Sequence, residues 1–590
     1  MVVYYGRTQG GFDLIPQEGP DEDLNFELGP STADETTWAL VDRWLNRCVQ
    51  THPACSNQYT ENFIPSRLLE LKATDNEKVF RLVERHQVDP GERYMTLSHC
   101  WGGSPSNPAL ILLKSTFQTL TEYQPLSVLP KTFHDAFVVI ERLNIRYLWI
   151  DRLCIFQDST QDWQRESASM GEVYLNSWLG ISALGSSNDT GGCFFSRDPA
   201  AVAPTIVNMC VDSPSNPQPY RFSLEKGWAW RLTFDREPLR KRGWTLQERL
   251  LSPRVLHFGR KQVFWECREC ACCEIHPNNV YVYGQDDFDS DGDDTEDSEV
   301  GSPPSPTIKY HHIWKQLLDA PDRRHVDDPV KQAYLDWQAI IELYSGCQLT
   351  VPTDKLVAIS GLTKGIRKHL KGLGCASDTY LAGLWRRELP RALAWNVLGV
   401  GRRPPSYRAP SWSWASVDCR VNIPLSYSQY SRDIITYVVV VDAECTICTE
   451  DETGQVSGGT ITLKGPLANA TLLPPPHDYP HYKTIMSIQS LKSLEVAGHE
   501  PLVQTPKETS YGRSWEVIFD VRSEMCDDVY CLPIDAQHFS ENTWVVIGLA
   551  LSRTSRDTYV RVGCVFMYLE NEEAAKNLFS GFPEATCVLE

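Results

Sequence analysis

From Tyr94 to Leu184 the spacing of apolar residues switches repeatedly between that of a strand and that of a helix. YMTLSHC (94–100) reads as a strand, and PKTFHDAFVVIERL (130–143) places Phe133, Phe137, Ile140 and Leu143 at helical spacing behind Pro130. RYLWI (146–150) is a second strand. DWQRESASMGEVYLNS (162–177) puts Trp163, Met170, Val173 and Tyr174 on one side of a helix, and WLGISAL (178–184) is a third strand. Such β-α-β-α-β alternation predicts a parallel sheet with right-handed crossovers, whose ligands sit outside the carboxyl ends of the strands. Three groups then converge on one rim: His99 to Gly103 after the first strand, Asp151, Arg152 and Cys154 after the second, and Ser186 to Asp189 after the third.

Around this stretch the patterns change. TTWALVDRWLNRC (36–48) keeps Trp38, Val41, Trp44, Leu45 and Cys48 on one helical face, while IPSRLLEL (64–71) and KVFRLVE (78–84) read as short strands. RGWTLQERLLSPRVLHFGRKQVFWEC (242–267) predicts a short helix stopped near Pro253 and a hairpin turning at Gly259. Residues 286–299 carry nine acidic side chains ahead of VGSPPSP, a self-repelling linker. Its DFDSDGDD, from Asp287, copies the start of an EF-hand loop, but Ser298 stands where a bidentate glutamate is needed. Helical patterns return in 330–347 and 380–398, and the chain turns β-rich in 437–447, 458–467, 514–521, 543–551 and 559–569. The expected organisation is an α/β domain over 91–275 with a parallel sheet, preceded by a lead-in over 1–90. A linker over 276–308, a mainly helical segment over 309–430 and a sandwich-like or barrel-like β-rich domain over 431–590 follow.

Composition narrows the classes of function. A formal charge of −20 repels nucleic-acid phosphates and anionic membranes. A run of 18 or more apolar residues is absent and the amino terminus lacks a basic region followed by an apolar one, so a cytoplasmic protein is expected, with its 19 cysteines reduced.

Several segments together resemble the fungal heterokaryon incompatibility, or HET, domain: YMTLSHCWGG, the long stretch from LPKTFHDAF to VYLNSW, GGCFFSR and RGWTLQERLLSPRVLHF, in the family's order. WLNRCVQTHPAC, PTDKLVAISGL, YLAGLWRRELPRALAW, RAPSWSWASVDC and GGTITLKGPL resemble stretches common in long HET-domain proteins. The resemblance implies a filamentous fungus and a role in non-self recognition and regulated cell death. It also implies a fold similar to Toll/interleukin-receptor domains, some of which cleave nicotinamide from NAD with an essential glutamate. NAD is thus a candidate substrate, and self-association or an incompatibility partner is expected. Two other readings stay open: a tailoring enzyme of fungal secondary metabolism acting on a small apolar molecule, and a non-catalytic interaction protein.

Cleavage of a nicotinamide–ribose bond needs a carboxylate that stabilises oxocarbenium-like charge or holds the ribose hydroxyls. Asp151, Glu166 and Glu248 are the candidates; the competing structural roles are a turn cap for Asp151, a helix-dipole partner for Glu166 and an ion pair with Arg249 or Arg242 for Glu248. His99 and Cys100 suggest a nucleophile and its base, although neighbours on a strand point to opposite faces. Gly102 and Gly103 could admit a phosphate or simply make a tight turn, and Arg242, with Arg236, Arg240 and Lys241, could hold a dinucleotide's phosphates or lie on a solvated turn. Two groups carry zinc-type ligands: Cys48, His52 and Cys55, which lack a clear fourth, and the run CRECACCEIH, where Cys267, Cys270, Cys273 and His276 could supply a tetrahedral set. Trp412 and Trp414 in SWSWAS, two apart, read as one face of a buried strand.

Overall fold

The protein is described from a computed structural model that covers residues 2–3, 12–16, 28–55, 63–75, 77–102, 110–203, 205–209, 220–226, 233–278, 328–423, 434–473, 483–488, 515–524, 529–540, 543–580 and 582–590. The acidic run at 286–299 lies outside these residues, as does Gly103. The chain divides into two compact units, Met1–Pro321 and Asp322–Glu590.

The first unit is built on a sheet with nine described strands: β1 (Arg67–Ala73), β2 (Lys78–Glu84), β3 (Tyr94–Ser98), β4 (Gln124–Pro125), β5 (Tyr147–Trp149), β6 (Leu179–Ser182), β7 (Arg254–Phe258), β8 (Val263–Cys267) and β9 (Ala271–Cys273). Their order across the sheet is β9-β8-β7-β6-β3-β5-β1-β2-β4. The inner four, β7, β6, β3 and β5, are parallel, with Ser98 opposite Ser182, Thr96 opposite Trp149 and His257 opposite Ser182. Every residue of β3, β6 and β7 is buried, which is why these strands show no alternation between apolar and exposed polar positions.

The sheet is therefore mixed: the four parallel strands are flanked by antiparallel hairpins, β1/β2 on one side and β7/β8/β9 on the other. The hairpin expected after Pro253 forms, and its first strand also adds a fourth parallel strand beside β6.

Helices fill the connections. The helix α1 (Glu35–Thr51) starts at Asp34, whose carboxylate accepts from Thr36 N at 3.1 Å. Helix α2 (Lys131–Arg142) joins β3 to β5, α3 (Thr160–Leu175) joins β5 to β6, and α4 (Trp244–Leu251) precedes β7. From β3 the chain steps sideways to β5, then back across β3 to β6 and on to β7. Right-handed crossovers taken in opposite directions put α2 on one face and α3 with α4 on the other, and α3 does pack on α4. The strand where the direction reverses is β3, so the crevice outside its carboxyl end is the topological switch point.

In the second unit, α5 (Pro329–Ser345) packs on α6 (Ser360–Gly372), with Trp337 and Tyr344 of α5 against Tyr380, Trp385 and Trp414, and six strands of the β-rich remainder close into a ring. Strands β10 (Ala468–Leu473), β11 (Lys483–Ile488), β12 (Trp515–Phe519), β13 (Val529–Ser540), β14 (Thr543–Arg553) and β15 (Tyr559–Leu569) pair antiparallel in the ring β13-β14-β15-β12-β11-β10-β13. Closure leaves the ring without an edge. Trp515, Val517, Phe519, Val546, Met567 and Phe579 belong to the cluster it encloses.

Trp412 and Trp414 are both fully buried, but SWSWAS is no strand: Trp414–Ser416 is a 3-10 turn capped by the Ser413 hydroxyl, which accepts from Ala415 N. Trp412 Nε1 donates to Gly459 O at 3.4 Å and Trp414 Nε1 to Gly383 O at 3.0 Å. Among the described residues, no helix is long and apolar enough to cross a membrane.

Candidate functional site

At the switch point the three groups named from the sequence do meet. Trp101 Nε1 donates to Asp151 Oδ2 at 2.9 Å, and the backbone N–H of Arg152 donates to Asp151 Oδ1 at 2.7 Å, so the end of β3 is tied to the end of β5. Arg152 reaches the third group: its guanidinium bonds Asp189 Oδ2 at 2.7 Å and Trp101 O at 2.9 Å while lying over the Trp101 and Phe133 rings. The Arg152–Asp189 pair is almost wholly buried, the regime in which both partners need complete hydrogen bonding.

His99 lies on the α2 face, edge-on to Phe133 and stacked with Trp101, with Nδ1 3.8 Å from Asp151 Oδ1. Burial, reinforced by the nearby Arg152 and Arg242 charges, pushes its pKa down to about 4 against the pull of Asp151. The ring is neutral at pH 7, and its Nε2 has no hydrogen-bond partner among the described residues.

Cys100 turns the other way, into a cluster with Leu184, Phe234, Leu239 and Phe264. Burial pushes its thiol up, partly offset by Arg242. Glu248 on α4 lies on this face, with its carboxyl group hydrogen-bonded to the Ser98 and Tyr174 hydroxyls; burial pushes its pKa up to about 7 and the Asp151 charge adds to that, while Arg242 opposes it. Burial also holds Tyr174 well above its usual range. His99 and Cys100 thus serve opposite faces, and the Asp151 charge acts on His99 on one and on Glu248 on the other. Beneath the rim, Ser98, Ser182, Thr245, Arg249 and His257 line a void of about 20 Å3, room for one water.

Gly102 adopts φ +78°, and a Cβ there would stand 2.9 Å from Asn188 Cβ; the tight turn needs glycine for close approach of two loops. Arg242 sits beside Cys100, Glu248 and His99, whereas Arg240 pairs with Asp235 at 3.4 Å. Glu166 joins a separate buried network: it is 3.5 Å from Arg67, which binds Asp162 at 2.6 Å, and 3.0 Å from Arg165. Arg249 pairs with Glu266 of β8, which also meets His257 Nε2 at 3.0 Å.

The cysteine-rich run is divided by the pleat of its hairpin. Cys267 faces α1 and gathers with Cys48, His52 and Cys55, Cys270 lies 3.5 Å from Cys267, and Cys273 packs in the apolar cluster around Cys100. His276 exchanges backbone hydrogen bonds with Cys273. Cys267, Cys270, Cys273 and His276 therefore do not form one tetrahedral set.

Ser98 and Tyr174 are the rim-side residues that the sequence does not single out: nothing in a helical face announces which hydroxyl meets a carboxyl group.

The sequence model of the heterokaryon incompatibility protein (HET) family matches residues 94–248. This segment is a HET domain. It spans β3 to β6 and α4, and so contains the switch-point rim from His99 to Glu248. No curated protein and no solved structure matches the chain.

The second unit holds a cavity of about 640 Å3 lined in part by Arg403, Tyr407, Ser411 and Arg561. Arg403 is engaged with Glu524 at 2.8 Å and Arg561 with Asp520 at 2.7 Å. Charges already neutralised by the protein leave this groove with less to offer a ligand than the rim.

Proposed function

We propose that the protein acts in heterokaryon incompatibility, in the cell-death response of a filamentous fungus to fusion with non-self, and that its HET domain cleaves NAD at the β3 rim. The observation that carries this reading is Asp151. It stands at the carboxyl end of a parallel strand, with a quarter of its side chain exposed, held by Trp101 and Arg152 and beside a neutral, buried His99. Open parallel sheets bind dinucleotides at this position. In the proposed mechanism the Asp151 carboxylate faces the nicotinamide ribose and stabilises the positive charge that develops as the glycosidic bond lengthens. His99, buried under the rim, backs Asp151 from within the fold, and Arg242 takes part of the pyrophosphate charge. Glu248, buried behind β3, positions the Ser98 and Tyr174 hydroxyls under the rim without touching substrate.

The test is nicotinamide release from NAD by the purified chain under conditions that allow self-association. Release abolished by Asp151→Ala, and lowered by Glu248→Gln with the fold intact, supports the reading; Glu166→Ala should alter stability and leave the chemistry. Absence of release would retire the glycohydrolase reading. The second reading is then favoured by the buried Arg152–Asp189 and Glu248–Tyr174–Ser98 contacts: a rigid hub in a domain that signals by binding a partner.

A further inference from the structure

Cys48, His52, Cys55 and Cys267 bring their ligand atoms within 4.8 Å of one another, and all four are buried. They come from three places in the chain. Cys48 is on the last turn of α1 and His52 is its C-cap, four residues on and hence on the same face. Cys55 ends the 3-10 turn Pro53–Cys55, and Cys267 ends β8. His52 Nδ1 lies 3.3 Å from Cys267 Sγ. Tetrahedral zinc, with bonds of about 2.3 Å to sulfur and about 2.0 Å to nitrogen, sets its ligands about 3.5–3.8 Å apart, so this cluster needs only small shifts to close on an ion.

The surroundings point the same way independently. Arg254 is 5% exposed and donates from Nε to Cys48 Sγ at 3.1 Å; its other partners among the described residues are the carbonyls of Trp178 and Cys55. A guanidinium keeps its charge, and burying one against neutral thiols and carbonyls leaves that charge without a counter-ion. Three thiolates on a divalent ion carry a net single negative charge, which Arg254 balances. Cys270 N–H points at Cys267 Sγ from 3.4 Å, the backbone donation that supports a metal thiolate.

We propose that these four residues bind a structural zinc ion. With four protein ligands the coordination shell is closed, leaving no position for water or substrate. The ion staples α1 to the end of β8, so it fixes the amino-terminal helix to the edge of the HET-domain sheet.

Two measurements decide it, made on the full chain expressed in zinc-supplemented medium and purified without chelator. Mass spectrometry of metal content should find about one zinc per chain, falling below about a fifth in Cys48→Ser and in Cys267→Ser while Cys270→Ser keeps it. Growth with cobalt should give thiolate-to-cobalt charge-transfer bands and the visible bands of a tetrahedral ion, a readout that survives even if the variants fail to fold. A wild-type chain with no bound zinc and no cobalt bands would overturn the proposal, as would disulfide-linked Cys48 and Cys55 in its place. Cys267→Ser retaining its full zinc, or Cys270→Ser losing it while His52→Ala does not, would overturn the ligand set.

Discussion

Glu248 and His99 lie on opposite faces of β3 with pKa values displaced in opposite senses, so each leaves its own mark on stability against pH. For Glu248, the folded value of about 7 stands above the ordinary 4.5. The native state holds the proton more tightly, so the stabilisation is complete below about pH 4.5 and is lost as pH rises through 7. For His99 the folded value of about 4 stands below 6.5; its stabilisation is complete above about pH 6.5 and is lost as pH falls through 4. Between those limits the two slopes oppose. Glu248→Gln keeps a neutral group on Ser98 and Tyr174, so urea unfolding should show it more stable than wild type at pH 8 by about 1–3 kcal/mol, and with the His99 slope exposed between pH 5 and 6.5. Arg152 gives a second, independent check. Arg152→Ala leaves Asp189 charged and buried and should cost about 3–5 kcal/mol, whereas Arg152→Met with Asp189→Leu should recover much of that loss by the same measurement. These residues were legible as neighbours because topology alone brings strand ends together. Which of them pair was not legible: the sequence names Arg152 and Asp189 on different loops, and only packing over Phe133 and Trp101 sets the guanidinium toward one carboxylate.

At the scale of elements, the loop after β3 is held against the loop after β6 through Gly102. Gly102→Ala forces a side chain into φ +78° and onto Asn188 Cβ at 2.9 Å. It should cost about 1–3 kcal/mol, and amide exchange should speed up in the loop carrying Asn188 while α2 stays protected. The alternation from β3 to β6 could be read in advance because strands buried on both faces are short apolar runs and the helices between them carry a 3.6-residue period. The parallel pairing of β7 with β6 could not, since a hairpin strand has the same pattern whichever neighbour it gains on its far side. SWSWAS failed for a different reason: a spacing of two fits a strand, yet the Ser413 hydroxyl and the carbonyls of Gly383 and Gly459 hold both indoles in a tight turn. Cys267 stayed apart from Cys48, His52 and Cys55 because 215 positions separate it from His52, and only the sheet edge joins them.

For the whole molecule, the family match and the folding unit have different ends. The match stops at Glu248, inside α4, but the sheet runs on through β7, β8 and β9 to Cys273. A chain cut at residue 250 would leave β6 with an unpaired edge in the middle of a sheet. It would also strip α1 of its contacts with the hairpins: Trp38 packs on Phe258, Trp44 on Trp265, and Thr37 bonds Glu274 Oε1 at 2.7 Å. Phe258, Phe264 and Trp265 are wholly buried, so their removal opens the core and does not merely trim it. Residues 1–250 should therefore be insoluble or lack a cooperative thermal transition by circular dichroism. Residues 1–278, which keep every strand of the sheet and all four clustered ligands, should melt cooperatively. A fragment ending at 250 that melted as sharply as the longer one would mean that the HET domain is complete without the β7–β9 hairpins, and that the fourth parallel strand decorates its core without closing it.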